Sequence, residues 1–328
     1  MTNHSVTLRD VYRARRAIGG IVRRTPLVPS PALSARTGAA VHLKLETMQH
    51  TGAFKIRGAT NKLTSLSEAE RERGVVTVST GNHGRAVATA AKRVGVRAVV
   101  CMSNLVPENK VAAIRELGAD VRIVGRNQDE AEVEAERLVA EDGMIMVSPF
   151  DDALIIAGQG TIGLELLEDL PDLDSVLVPL SGGGLIGGIA LAVKAAAPDA
   201  RVIGVSMDRG PAMYHSQKAG KPVLIEEQPS LADSLGGGIG LDNRYTFDLV
   251  RDFVDELLLV GEEQIAAAMV HAFREERLVV EGGAAVGIAA LLNGLAGDLG
   301  ETVAVVVSGR NVEMDSFARI VGDTAGES

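Results

Sequence analysis

The stretch Thr51-Gly-Ala-Phe-Lys55-Ile-Arg-Gly58 sets one lysine between an aromatic and a branched aliphatic residue, in a turn bracketed by glycines. Apolar neighbours such as Phe54 and Ile56 disfavour the charged ammonium form, so they lower the pKa of a lysine and make its amine nucleophilic. We therefore predict that Lys55 is a reactive amine.

Downstream of this turn, short β-branched runs alternate with helix-like segments, which is typical of βαβ units around a parallel sheet. The first series of predicted strands is Val75–Ser79, Ala98–Met102 and Val121–Val124, and the second is Ser175–Leu180, Arg201–Ser206 and Thr302–Val307. Because Val41–Leu45 also has the pattern of a strand, we expect the chain to begin in one domain, build a second, and return near Phe150. The predicted organisation is α/β, with a large domain of residues 1–73 and 149–328 and a small domain of residues 74–148.

Three loops rich in small residues follow predicted strands: Ser79–Gly84, Ser181–Leu185 and Ser308–Asn311. Ligands in parallel α/β folds lie at the carboxyl ends of the strands, so we expect the three loops to face one crevice. Ser181-Gly-Gly-Gly184 opens a helix with exposed backbone N–H groups and is suited to a phosphate, whereas the hydroxyls and amides of Ser79–Gly84 are suited to a carboxylate. The hydroxyl of Ser308 could meet a ring nitrogen.

The glycine tract also matches another kind of site. Gly182, Gly184 and Gly187 have the spacing of a dinucleotide-binding loop, which would indicate a nicotinamide-binding oxidoreductase. That fold places an acidic residue at the end of the next strand; here the strand ends at Ser206, with Asp208 close behind. A dinucleotide site is therefore the alternative to a simple phosphate site, and it would place the protein in a different enzyme class.

Composition restricts the class of protein further. The 328 residues carry a net charge of −10 with no basic run, which argues against a nucleic-acid surface. Neither a signal peptide nor an apolar run of membrane-spanning length is evident, so we expect a cytoplasmic protein without a membrane partner. Cys101 is the only cysteine, and the six histidines have no metal-binding spacing, so no metal site is predicted.

Taken together, the motifs resemble the fold type II pyridoxal phosphate enzymes, specifically the threonine/serine dehydratase and serine racemase group. The resemblance extends over nearly the whole chain, through Arg24–Leu27, Gly52–Gly58, Ser79–Gly84, Ala157–Thr161, Ser181–Leu185 and Ser308–Asn311. It implies a tryptophan synthase beta-like fold, in which two α/β domains with parallel or mixed sheets hold pyridoxal 5'-phosphate between them. Within the group, Leu231–Arg244 and Gly204–Gly210 resemble the branch named hydroxyectoine utilization dehydratase.

The resemblance also implies roles for individual residues. Lys55 would be the Schiff-base lysine and Phe54 its neighbour against the cofactor ring, with Thr80 as the acid/base on the opposite face. The remaining cofactor contacts would be Asn82 at the ring hydroxyl, Ser308 at the pyridine nitrogen, and the backbone amides of Gly182, Gly183, Gly184 and Leu185 at the phosphate. The substrate carboxylate would lie in the loop formed by Ser79, Thr80, Gly81, Asn82 and His83.

The implied activity is β-elimination of water from a small hydroxy amino acid, which gives a 2-oxo acid and ammonia. The implied substrate is threonine, serine or a hydroxylated diaminobutyrate derivative from hydroxyectoine, and the implied assembly is a homodimer. A serine or amino-acid racemase is the alternative, although Thr80 stands where racemases have serine. Ser206 and Ala212 replace the two carboxylates of the family's cation site, and Arg310 replaces a usual glycine.

Overall fold

The computed structural model describes residues 4–79, 81–106 and 108–322, which form two β-sheets with helices on both faces. The strands are β1 (Leu27–Pro29), β2 (Ala40–Leu45), β3 (Val75–Val78), β4 (Ala98–Met102), β5 (Asp120–Ile123), β6 (Ile145–Met146), β7 (Ser175–Pro179), β8 (Arg201–Met207), β9 (Glu256–Val260) and β10 (Thr302–Val307).

The α-helices are α1 (Leu8–Ile18), α2 (Pro31–Thr37), α3 (Ile56–Thr64), α4 (Glu68–Arg73), α5 (Asn82–Val94), α6 (Glu108–Glu116), α7 (Gln128–Asp142), α8 (Ala153–Asp169), α9 (Gly184–Ala196), α10 (Ala212–Ala219), α11 (Thr246–Phe253), α12 (Glu262–Arg274), α13 (Gly282–Leu292) and α14 (Met314–Gly322). Within the described ranges, every helix is too short or too polar to span a bilayer.

The larger sheet has the strand order β1-β2-β10-β7-β8-β9 and is parallel except for the antiparallel pair β1 and β2. Alternate residues of a strand point to opposite faces, so Leu177 packs with α12 and α13 while Val176 and Val178 pack with α9. Burial on both faces explains the nearly uninterrupted apolar sequences of β7 and β10.

The smaller sheet has the order β5-β4-β3-β6 and is parallel throughout. One face packs against α3, α5 and α6, and the other packs against α7. All four strands lie between Val75 and Met146, whereas the six strands of the larger sheet lie outside that range. The α/β fold class is confirmed, and the domain limits 74–148 and 1–73 with 149–328 stay a proposal that the two separate sheets support.

Most strand limits agree with the sequence-based expectation to within one residue. Ala98–Met102 and Thr302–Val307 were predicted with the observed limits, while β5 begins one residue earlier than predicted. The sequence did not indicate β1, β6 or β9, which lie at sheet edges and contain two to five residues. Edge strands of that length carry little periodic signal.

Candidate active site

Lys55 lies immediately before α3, and its side chain is largely buried. The amine donates a hydrogen bond of 2.6 Å to the carbonyl of Pro149 and lies 5.3 Å from the centre of the Phe54 ring. Burial lowers the pKa of Lys55 from 10.5 to about 8, against the opposing effect of the Glu281 carboxylate. A substantial fraction of the amine is therefore neutral, and nucleophilic, near neutral pH.

The turn that carries Lys55 is fixed by the loop after β10. Its backbone contacts are a hydrogen bond of 3.0 Å from Phe54 N to Ser308 O, a hydrogen bond of 2.9 Å from Arg310 N to Gly52 O, and an antiparallel bridge between Ala53 and Gly309. We call this pairing of residues 51–54 with residues 308–311 the lysine clamp. Because Ser308 is buried within it, its hydroxyl has a fixed position relative to the lysine.

The glycine tract at the start of α9 presents backbone rather than side chains to the cavity, because neighbouring residues occupy the positions that its own side chains would need. Gly183 has φ +88, a conformation that favours glycine. A Cβ on Gly182 would lie 2.3 Å from Cγ of Phe150, and one on Gly184 would lie 2.8 Å from the Phe150 carbonyl oxygen. The first N–H groups of a helix lack intrahelical partners, and Leu185 belongs to this first turn. The tract therefore fits the phosphate of the predicted cofactor.

Asn82 is the first residue of α5, and its side chain joins this helix to Glu281 before α13 and to Asn311 after β10. Its amide donates to both carboxylate oxygens of Glu281, at 2.8 and 3.1 Å, and its carbonyl oxygen accepts from the Asn311 amide at 2.6 Å. Burial raises the pKa of Glu281. The predicted contact of Asn82 with a ring hydroxyl stays a prediction, since its amide here is directed to Glu281.

His83 follows Asn82 and is buried, with Nε2 2.9 Å from the Val147 carbonyl oxygen. Burial and the nearby Lys55 ammonium lower the pKa of His83 to about 3, so the imidazole is neutral at physiological pH. A neutral ring that donates to a carbonyl supports the loop rather than supplying a proton. Thr80, predicted as the acid/base and as a substrate contact, lies outside the described residues.

A cavity of about 1320 Å³ opens between the two sheets and contains the predicted residues in its wall. The predicted residues that line it are Phe54, Lys55, Ser79, Gly81, Asn82, His83, Gly182, Gly183, Gly184, Leu185 and Ser308. The structure thus brings together every predicted site residue that it describes, while the role of each stays a prediction. In the described part of the chain, no group of His, Cys, Asp and Glu side chains is arranged to hold a metal ion.

Two supports of the site were not predicted. Arg57, two residues after Lys55, is fully buried and bonded to both Glu46 and Glu165, and Lys44 contacts Glu165 at 2.6 Å. Two buried cations and two buried carboxylates, with no net charge, thus hold the start of α3 in place. The second charged residue of the turn, Arg57 between Ile56 and Gly58, was the available sequence signal. The second support is the Phe150 ring beneath the glycine tract, for which no sequence signal existed.

Comparisons with a family model and with related proteins assign this chain to one family. Residues 18–309 match the family model described as "Pyridoxal-phosphate dependent enzyme". The chain is 56% identical over 317 residues to a Sinorhizobium fredii protein that is named provisionally as a threonine dehydratase, with 97% of this chain and 96% of that protein covered. It is 44% identical to the L-threonine ammonia-lyase of Thermotoga maritima, with 96% and 78% covered.

A solved structure shows the same fold. Maize serine racemase superposes with a TM-score of 0.91 at 32% sequence identity, and the match covers 98% of each chain. The similarity therefore extends over both sheets.

Proposed function

Because this chain belongs to the pyridoxal-phosphate dependent enzymes, we propose that it is a dehydratase that eliminates water from a β-hydroxy amino acid, giving a 2-oxo acid and ammonia. The predicted cofactor is confirmed by the family, so the nicotinamide-binding alternative was wrong. The predicted lyase class agrees with the names of the two curated relatives, a threonine dehydratase and a threonine ammonia-lyase.

One observation carries the proposal. The Lys55 amine, with a pKa of about 8, lies in the same cavity as a glycine tract whose backbone N–H groups, at the start of α9, are suited to a phosphate. When bound, pyridoxal phosphate withdraws electrons from the substrate Cα and so acidifies the α-proton. Lys55 would hold the cofactor covalently in the resting enzyme, take the α-proton as general base once substrate displaces it, and assist departure of the β-hydroxyl as a proton donor.

The other predicted residues have compatible positions. We propose that the backbone amides of Gly182–Leu185 bind the phosphate and that Ser308, held by the lysine clamp, lies at the pyridine nitrogen. Asn82 would bind the ring hydroxyl, and the loop of residues 79–83, Thr80 included, would bind the substrate carboxylate. A neutral hydroxyl beside the pyridine nitrogen leaves that ring largely unprotonated, which favours expulsion of a β-substituent over transamination.

Two kinds of substrate are proposed. Threonine agrees with the names of the two curated relatives, and serine is implied by the family resemblance. The resemblance of Leu231–Arg244 to the hydroxyectoine utilization branch adds a hydroxylated diaminobutyrate derivative. An amino-acid racemase is the second candidate, because the fold similarity to maize serine racemase covers nearly the whole chain. A homodimer in the cytoplasm, with no nucleic-acid or membrane partner, is proposed from the family resemblance and the composition.

The test is a comparison of the purified protein with Lys55→Ala. We expect the parent protein to show the visible absorbance of lysine-bound cofactor and to release ammonia and a 2-oxo acid from a β-hydroxy amino acid; Lys55→Ala should lose both properties. Lys92→Ala, which changes an exposed lysine on α5, is the control and should keep both. Persistence of absorbance and turnover in Lys55→Ala would refute the proposal, and D-product formed ahead of any 2-oxo acid would favour the racemase.

A further inference from the structure

Glu281, the residue immediately before α13, is a buried carboxylate in the wall of the cavity. Glu46 and Glu165 are also buried, but each of them is ion-paired with Arg57. In the described part of the chain, the hydrogen-bond donors of the Glu281 carboxylate are neutral groups. Burial of a charge without a cation beside it is unfavourable for folding, so stability alone does not explain a carboxylate at this position.

Three residues form a closed set of hydrogen bonds around this carboxylate. The Asn82 amide donates to its two oxygens at 2.8 and 3.1 Å, and the Asn311 backbone N–H donates to Oε2 at 3.1 Å. The Asn311 side-chain amide donates to the Asn82 carbonyl oxygen at 2.6 Å and to the Thr51 carbonyl oxygen at 2.8 Å. We call Asn82, Glu281 and Asn311 the carboxylate network. It joins the start of α5 to the loop after β10.

The carboxylate network fixes the orientation of the Asn82 amide. If this amide were turned by 180°, its oxygen would face the carboxylate oxygens and its NH₂ group would face the Asn311 NH₂ group, and both contacts would be repulsive. The NH₂ group has two N–H donors, so one can stay on the carboxylate while the other meets a cofactor hydroxyl. Glu281 thus determines on which side of Asn82 the N–H donors lie.

Glu281 also lies against the lysine clamp. Its backbone N–H donates to the Gly309 carbonyl oxygen at 3.2 Å, and a Cβ on Gly309 would lie 2.7 Å from Oε1 of Glu281. Gly309 is bridged to Ala53, two residues before Lys55. Burial lowers the pKa of Lys55 and the charge of Glu281 opposes this effect, so the two groups are within electrostatic reach of each other. One side chain therefore contacts both the start of α5 and the clamp around the lysine.

We propose that Glu281 is a positioning residue that acts through Asn82 and holds the loop of residues 79–83 in register with Lys55. The inference rests on the proposed dehydratase, in which this loop would bind the substrate carboxylate and Asn82 would bind the ring hydroxyl of the cofactor. Glutamine has the same shape as glutamate and no charge, but it has one acceptor oxygen and one NH₂ group. Because the network needs an acceptor at both positions, glutamine would turn an NH₂ group toward a donor of Asn82 or Asn311.

A double-mutant cycle on cofactor binding tests whether Glu281 acts through Asn82. Equilibrium dialysis of the apoprotein with pyridoxal phosphate should show binding about 3- to 10-fold weaker for Glu281→Gln and for Asn82→Ala, as the loss of one hydrogen bond implies. The double variant should bind about as weakly as Asn82→Ala alone, because the carboxylate then has no amide to orient. Losses that multiply in the double variant would overturn the proposal.

Turnover and absorbance give two further measurements. Glu281→Gln should lower kcat for a β-hydroxy amino acid by about 10-fold or more, since a small displacement of substrate relative to Lys55 is costly. It should also change the visible absorbance of the lysine-bound cofactor in the same direction as Asn82→Ala. Glu281→Asp keeps two acceptor oxygens on a shorter side chain and should recover part of both properties. An absorbance altered by Asn82→Ala and untouched by Glu281→Gln would contradict the positioning role.

The control is Glu227→Gln, at an exposed glutamate of the same cavity wall. It should leave cofactor affinity, absorbance and kcat unchanged. Urea unfolding of each apoprotein identifies a variant that is misfolded. If Glu281→Gln is misfolded, Glu281→Asp takes its place in the cycle, and its smaller loss of affinity should vanish in the Asn82→Ala background. A loss that persists in that background would count against the proposal.

The positioning role and the dehydratase can be refuted separately. A double variant that binds the cofactor as Asn82→Ala does, without ammonia release by the parent enzyme from any β-hydroxy amino acid, would refute the dehydratase and support the positioning role. Ammonia release by the parent enzyme, with independent effects of the two substitutions on cofactor affinity, would support the dehydratase and overturn the positioning role.

Discussion

Replacing Lys55 with methionine tests whether the lysine is held in a setting that penalises its charge. Methionine is similar in length and unbranched, but it has no ionisable group. Lowering the pKa from 10.5 to about 8 corresponds, at about 1.4 kcal/mol per unit, to about 3 kcal/mol of free energy that the folded apoprotein loses at neutral pH. Partial exposure of the side chain to solvent reduces this to about 2–3 kcal/mol.

The sign of the pH dependence follows from proton binding. Between about pH 8 and pH 10.5 the unfolded chain retains the proton that the folded chain has released, so the contribution of Lys55 to stability rises with pH in this window. The advantage of Lys55→Met over the parent apoprotein should thus be about 2–3 kcal/mol at pH 7. It should shrink by about half or more at pH 9.5.

Urea unfolding of the two cofactor-free proteins at both pH values measures this difference. Groups that titrate identically in the two proteins cancel in the comparison. The constant apolar gain from methionine cancels when the advantage at pH 9.5 is subtracted from the advantage at pH 7. Lys92→Met, at an exposed position on α5, provides the control for replacing a lysine that is not buried. An advantage of Lys55→Met that is the same at pH 7 and pH 9.5 would show that burial does not suppress the charge, and the argument for a nucleophilic amine would fail.

Two further substitutions test the surroundings of the lysine. Gly182→Ala puts a methyl group 2.3 Å from the Phe150 ring, so the ring must move at a cost of about 1–3 kcal/mol. Equilibrium dialysis should then show at least about 10-fold weaker cofactor binding. In the control Gly187→Ala the new contact is 3.2 Å, and the loss of cofactor binding should be much smaller. Glu165→Gln leaves two buried cations with one carboxylate and should lower the free energy of unfolding, measured by urea titration, by about 3–5 kcal/mol. The control Glu168→Gln removes a carboxylate that is exposed and ion-paired, and it should lower that free energy by about 1 kcal/mol or less.

The sequence predicted those elements whose runs of apolar residues are also the buried residues of the fold. The strands β4, β7 and β10 are buried on both faces and bounded by turn residues, so their nearly uninterrupted apolar runs located them closely. The loops at their carboxyl ends could be assigned to one crevice because parallel topology requires it. Lys55 and the glycine tract could be recognised from the sequence because the residues that determine their properties are adjacent in the chain.

Contacts between distant segments could not be read from the sequence. In the sequence, Glu281 is an acidic residue at the start of a glycine-rich turn, and its bonds to Asn82 at the start of α5 depend on how the two sheets approach each other. The pairing of Lys44 with Glu165 joins residues far apart in the chain, and each residue alone looks like an ordinary surface charge. Such polar contacts satisfy buried groups whose burial is set by the complete fold.

The order of strands in the larger sheet has a consequence for biosynthesis. β2 is translated long before its parallel neighbour β10 and before the second half of the lysine clamp. A nascent chain that lacks residues beyond 300 exposes an unpaired edge on β2 and lacks the lysine clamp, one of the supports of the turn around Lys55. That turn is therefore completed only after β10 has been translated, and chains truncated at residue 300 should be aggregation-prone and should bind the coenzyme weakly.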